Sequence, residues 1–376
     1  MRLLYITDAL AIWGGIERIL VDKANYFADN YGYDVHLVTV NQGSHPIIFP
    51  LDEKVHYDDF CIRFHQQYDS HGIARLIKKW QLKKMFVDRL RSYVNKVKPD
   101  IILTARAEMI PGIVAAKGNI PLVYESHSSY IAHRYLSDGF FSLMKSEFLN
   151  RNVKHADMVV ALTNGDAFEW RKVTKNVCVI PNVVHLNDKG SFSDCKNKTA
   201  IFVGRFSRQK DIGSLLKIWC IIHHRFPDWK LQIYGGFGEE KESIMNAIDK
   251  MNVNIKVNHP TSDIFEKYCE SSILLLTSLF EPFGLVLPEA MSCGLPVVAF
   301  DCPYGPNEII RDGVDGFIIS NRDIELFAEK VCLLMENLDL RVKMGKEGIK
   351  SSCRFEEKKI MPHWITLFQS LKHNCL

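Results

Sequence analysis

No uninterrupted apolar stretch in this 376-residue chain approaches the ~18 residues that a membrane-spanning helix requires, so no span is expected. The opening residues, Met1-Arg2-Leu3-Leu4-Tyr5-Ile6-Thr7, run straight into a strand pattern. They lack the apolar core of roughly 7–15 residues and the small-residue cleavage site of a secretory signal. A protein that is soluble, or peripheral to a membrane, is expected. The ten cysteines include no C-x-x-C pair, and Cys178, Cys220 and Cys332 lie inside apolar runs. They read as small buried hydrophobes in a reducing cytoplasm, and the same want of ligand spacing argues against zinc. No G-x-x-x-x-G-K-[ST] occurs, which excludes a P-loop enzyme. The net charge of +3 is too small to define a partner; only its distribution is informative.

What is present describes an ordinary globular protein, 47% hydrophobic and 24% charged. The length suits two domains of roughly 150–200 residues each. Short apolar runs alternate with longer helical patterns. Strands are expected at 2–7, 34–40, 100–104, 121–125 and 157–162, then at 200–204, 230–234, 254–258, 273–277, 296–300 and 316–319. Continuous runs such as Ile273-Leu274-Leu275-Leu276 fit strands covered on both faces, the parallel-sheet pattern with helical crossovers. Asn187 to Thr199 is rich in turn formers and has no apolar period, and the linker is placed there. Domains of 1–187 and 188–354 follow, each an α/β, doubly wound, Rossmann-like unit facing a central cleft. Ligands then bind at the carboxyl ends of strands.

The densest chemistry lies at 281–300, EPFGLVLPEAMSCGLPVVAF. Glu281 and Glu289 stand eight apart, with Gly284 and Leu285 between them at a helix start, where free backbone N–H groups and partial positive charge suit a phosphate. At 201–211 the chain reads IFVGRFSRQKD, a strand ending at Gly204 with Arg205 and Lys210 in the loop beyond. Gly14-Gly15 opens a helix after the first strand, His127 follows the fourth, and Gly235-Gly236-Phe237-Gly238 follows KLQIY. Taken alone, the two glycine loops are also ordinary tight turns, and a lone histidine is usually structural.

Together these segments resemble the retaining GT-B glycosyltransferases of family 4 (glycosyl transferases group 1). The E-P-F-G, P-E-A-M and C-G-L-P-V-V-A runs match its E-x7-E signature, and G-R-x-x-x-x-K-D matches its phosphate motif. The resemblance covers nearly the whole chain and implies a nucleotide-diphosphate sugar, with UDP expected, as donor. Arg205 and Lys210 then hold the diphosphate, with Gly14, Gly15, Gly284 and Leu285 beside it. Glu281, Phe283 and Gly284 face the transferred sugar, and Glu289 takes the ribose diol. Glu281 and His127 are the expected catalytic residues, with Glu125 a weaker candidate. His259, in IKVNHP, falls where the base is contacted but departs from the small residues usual there. A terminal helix of about 355–376 is expected to cross back onto the first domain.

No D-x-D is present, so no metal or other cofactor is expected. No second carboxylate is evident as a nucleophile, so a front-side route with the leaving phosphate as base is expected, through an oxocarbenium-like transition state. Hinge closure would complete the site.

Residues 75–98 carry nine cations against Asp88 alone. Apolar residues at Leu76, Trp80, Val87, Leu90, Val94 and Val97 form a stripe that reads as the sheet-packing side of an amphipathic helix. Its charged face suits an anionic membrane, each near-surface cation contributing ~1 kcal/mol. The expected setting is the cytoplasm and the inner face of the plasma membrane, with a glycan or lipid-linked acceptor. No nucleic-acid motif accompanies the charge. Two rivals stay open: a GT-B nucleotide-sugar epimerase, and a non-catalytic sugar-nucleotide-binding subunit.

Overall fold

The computed structural model describes residues 1–132, 135 and 140–373. Two parallel sheets organise them. The first has seven strands: β1 (Arg2–Thr7), β2 (Asp34–Thr39), β3 (His56–Asp59), β4 (Ile101–Thr104), β5 (Leu122–Ser126), β6 (Met158–Ala161) and β7 (Val177–Val179), in the order β3-β2-β1-β4-β5-β6-β7. The second has six: β8 (Thr199–Gly204), β9 (Lys230–Gly235), β10 (Ile255–Asn258), β11 (Ile273–Leu276), β12 (Val297–Phe300) and β13 (Gly316–Ile319), in the order β10-β9-β8-β11-β12-β13. Central strands such as β4, β11 and β12 are buried along their whole length, as their unbroken apolar runs require.

Helices cover both faces of each sheet. Around the first lie α1 (Gly15–Tyr31), α2 (Gly72–Val97), α3 (Ile110–Ala116), α4 (Phe140–Asn152) and α5 (Asn164–Trp170). Around the second lie α6 (Ile212–Arg225), α7 (Lys241–Asp249), α8 (Ile264–Cys269), α9 (Val286–Ser292), α10 (Gly305–Ile309), α11 (Ile324–Glu336) and α12 (Leu338–Ser352). Helix α13 (Glu357–His373) joins the core of the first sheet through Ile360, Met361, Trp364, Phe368 and Leu371, which pack with Leu3, Tyr5 and Phe27. A latch links the two halves: the amides at the start of α5, Asn164 and Gly165, donate to the Glu308 carboxylate on α10, both at 2.9 Å.

Two strands lie beyond the sequence expectation. β3 reads HYDD and β7 is three residues long; both are sheet edges, where one-sided cover removes the need for an apolar run. The stripe expected on α2 also needs correction. Leu90, Val94 and Val97 are buried, together with Leu82 and Phe86, but Leu76 and Trp80 are 66% and 63% exposed. The helix therefore changes its buried face along its length, and its first turns stand clear of the sheet.

Candidate active site

The site assembles where the carboxyl ends of the two sheets face each other. On the second sheet, β8 ends at Gly204 and the next loop crosses the one after β9. Phe206 N–H donates to the Phe237 carbonyl at 2.6 Å, and Glu240 N–H to the Phe206 carbonyl at 3.0 Å. A Cβ at Gly235 would lie 2.1 Å from the Gly204 oxygen, and one at Gly238 2.3 Å from the Phe206 oxygen, both at strongly positive φ. These glycines are needed to let two loops cross, which accounts for them without any ligand. The crossing fixes the loop carrying Arg205 and Lys210. Arg205 is exposed and makes no hydrogen bond or ion pair among the described residues. Lys210 is mostly enclosed and donates to Glu281 Oε1.

Glu281 is 4% exposed. Its backbone is pinned on both sides: its N–H donates to the Pro303 carbonyl at 2.7 Å, and its carbonyl accepts from Tyr304 and Gly305 at 2.8 and 2.9 Å. Ser278 Oγ donates to the same carboxylate oxygen as Lys210, at 2.6 Å. The carboxylate is thus held in one orientation before any ligand arrives. Beyond it Gly284 takes φ 93° and α9 begins. The amides of Phe283, Gly284 and Leu285 have no protein acceptor among the described residues. One turn on, Glu289 accepts from Tyr268 Oη and from Arg18 Nη1, each at 3.3 Å. Burial raises the Glu289 carboxyl, and Arg18 and Tyr268 pull against it.

Arg18 belongs to the other half of the molecule, on the first turn of α1. Its contact with Glu289 spans the cleft, and a Cβ on Gly15 would lie 3.5 Å from Leu285 Cδ1. The Gly14-Gly15 loop therefore sits opposite the Gly284-Leu285 helix start. His127 follows β5 and is buried; its Nε2 lies 2.9 Å from Glu125 Oε2. Glu125 also accepts from Lys23, and the Lys23 ammonium rests 4.0 Å from the centre of the Trp364 ring on α13. Burial alone would raise the Glu125 carboxyl, but Lys23 and His127 outweigh it and hold the group down at about 2. The loop around His127 is tied by Asp166, which accepts from Ser126 Oγ at 2.6 Å and Tyr130 N–H at 2.7 Å.

The structure thus brings Lys210, Glu281, Gly284, Leu285, Glu289, Gly14 and Gly15 to one cleft. His259 is exposed just past the end of edge strand β10, whose last residues, Val257 and Asn258, adjoin the Gly236 loop. Sequence reading missed Arg18, Lys23, Ser278 and Asp166. Arg18 carried a signal, a cation on the first helical turn after the Gly-Gly pair. Lys23 carried none, because its partners lie about a hundred and several hundred residues away.

Two parallel-sheet α/β units with carboxylates, a lysine and glycine-hinged helix starts meeting between them form the two-domain cleft of the GT-B fold. The profile "Glycosyltransferase Family 4" matches residues 13–188, and "Glycosyl transferases group 1" matches 185–351. The chain belongs to this family of GT-B glycosyltransferases. It is 28% identical over 357 residues to an uncharacterized glycosyltransferase of Haemophilus influenzae, covering 93% of this chain and 95% of that one. It is 28% identical over 375 residues to the amylovoran biosynthesis glycosyltransferase AmsD of Erwinia amylovora, covering 96% and 98%. Among solved structures, TarM of Staphylococcus aureus superposes with a TM-score of 0.81 at 17% identity, covering 98% of this chain and 99% of that one. HepE of Anabaena, in complex with UDP-glucose, superposes at 0.75 with 19% identity, covering 98% and 100%.

Proposed function

We propose that this enzyme transfers a sugar from a nucleotide diphosphate, UDP first among the candidates, to an acceptor hydroxyl with retention of configuration. The observation that carries the reading is the pairing of both carboxylates with cations in one cleft: Glu281 with Lys210, and Glu289 with Arg18. Each pair matches one part of such a donor. A vicinal diol can bridge the two oxygens of a carboxylate, as a ribose would at Glu289. A diphosphate would draw Lys210 and Arg205 onto itself, each charge-assisted contact being worth ~1.5–3 kcal/mol. It would release Glu281 to the sugar hydroxyls. The amides of Phe283, Gly284 and Leu285 would complete the anion cradle. In transfer, the same cations would stabilise charge on the departing diphosphate, so that no metal is required. Adding Mg2+ or Mn2+ should accordingly leave the rate unchanged.

A screen of donor hydrolysis across UDP-, GDP- and ADP-sugars tests this reading, and hydrolysis of none would refute it. Incubation with donor alone separates transfer from the rival epimerase, which would return an epimerised nucleotide sugar. Glu289→Gln should raise the donor KM about tenfold, from the loss of ~1.5 kcal/mol of charged hydrogen bonding, with kcat little changed. An unaltered KM would remove Glu289 from the ribose site.

The acceptor we infer to be a cell-surface glycan precursor carried on lipid. AmsD takes its name from amylovoran biosynthesis, and a Campylobacter jejuni relative, 22% identical over 367 residues, is named for a GalNAc-containing PP-undecaprenol acceptor. The start of α2 supports a membrane-borne acceptor. Residues 71–81 are exposed apart from half-buried Lys78. Ile73, Leu76, Ile77 and Trp80, at i, i+3, i+4 and i+7, make one apolar ridge bordered by Arg75, Lys78, Lys79, Lys83 and Lys84, with no acid before Asp88. An apolar ridge flanked by cations fits the boundary of an anionic bilayer. Changing Lys78, Lys79, Lys83 and Lys84 to glutamine should release the protein from vesicles containing phosphatidylglycerol, and Trp80 fluorescence should no longer shift on mixing. Sedimentation equal to that of the parent protein would show that the ridge serves another partner.

A further inference from the structure

At the opposite end of the first sheet, away from the cleft, strand pairing collects three metal-ligand side chains. β2 and β3 run parallel with His36 directly opposite His56. Asp34 lies two residues before His36, hence on the same face of β2. Asp34 Oδ1 is 3.1 Å from His36 Nε2 and 3.4 Å from His56 Nε2, and the ligand atoms of all three lie within 4.8 Å of one another. The two imidazoles stack at 27°, with centroids 4.7 Å apart, and each turns its Nε2 toward Asp34 Oδ1.

We propose that Asp34, His36 and His56 form a site for one divalent transition-metal ion of the zinc type, which clips the edge strand β3 to β2. A metal held by nitrogen and oxygen at about 2.0–2.1 Å sets tetrahedral ligand–ligand edges of about 3.3–3.4 Å, close to the two separations found here. The surroundings also match what such ligands need. His36 Nδ1 lies 3.1 Å from Tyr93 Oη on α2, a contact that fixes the ring and frees Nε2 for a metal. Asp34 Oδ2 is occupied by Arg2 Nε at 2.5 Å, which leaves Oδ1 as the single ligating oxygen. His36 is largely enclosed while His56 is 63% exposed, which provides an entry path and leaves the fourth position to water. The alternative for the same atoms is a metal-free cluster in which both histidines donate N–H to Asp34.

The test uses the full chain, stripped with chelator and dialysed, with Co2+ as the probe. The expected result is one Co2+ per chain, visible d–d absorption of a four-coordinate ion, and displacement by Zn2+. His56→Gln, at an exposed position that the fold tolerates, should weaken binding at least about tenfold, and Tyr93→Phe about tenfold through loss of the outer contact. Absence of saturable binding would overturn the proposal. So would binding unchanged in both His56→Gln and His36→Gln, which would assign the ion to cysteines or other groups.

Discussion

Glu281→Ala should cut sugar transfer by about a thousandfold or more while the protein folds and still binds free nucleoside diphosphate. Two effects act together. The sugar loses its pre-oriented acceptor, and a preorganised polar group of this kind is commonly worth a factor of 10²–10³. Lys210 also loses the carboxylate that holds it in place before the donor binds, so the cation must be ordered as the diphosphate arrives. Glu281→Gln separates the two, since the amide keeps the shape and one acceptor but loses the charge that holds Lys210; it should fall between the parent and alanine. Single-turnover rates with the donor that the screen identifies, alongside UDP affinity by calorimetry, decide the matter. Transfer at the parent rate in Glu281→Ala would remove this carboxylate from the reaction.

The second large effect is expected at Glu125. Glu125→Gln leaves the Lys23 ammonium buried with only the Trp364 face and an amide beside it, and breaking a buried pair from one side costs about 3–5 kcal/mol. The same change frees His127, whose ring Glu125 holds, so kcat should drop more than donor affinity. A Lys23→Met/Glu125→Leu double variant should regain most of the stability, because both charges leave together, but not the activity. The pH dependence carries its own signature. The folded Glu125 carboxyl, at about 2, stands below its ordinary value near 4.5, so its contribution to stability is complete above the latter and lost as pH falls toward the former. Denaturation followed from pH 6 to pH 2 should show the double variant losing less stability than the parent. Parallel losses would mean that the pair is not what acid attacks.

How far the sequence carried these results depends on where each contact lies in the chain. Strands buried on both faces, such as β4, β11 and β12, announce themselves by apolar runs, and eleven of the thirteen were legible on that basis. The edges β3 and β7 were not, for want of such a run, and with β3 went the pairing that sets His56 against His36. Spacing along the chain does not reveal these ligands, which meet only through strand register. The cleft residues were legible because motif and local geometry coincide: Glu281, Gly284 and Glu289 lie within nine residues on one loop and helix. The pairing of Lys23 with Glu125 and Trp364 was not, since it joins elements far apart in sequence. Helix α2 was misread in its first turns because amphipathic spacing reveals an apolar ridge but not whether protein or solvent lies against it.

The place of α13 has a further consequence for how the molecule is made. Domains generally form as they leave the ribosome, the earlier one first. Here Ile360, Trp364 and Phe368 close one face of the first sheet, and Trp364 covers the Lys23 ammonium, yet they are synthesised after the whole second sheet. The half that emerges first therefore waits, with one flank open and a charged pair half covered, until the other half has been translated. The first half is thus expected to be completed only after the second has been synthesised.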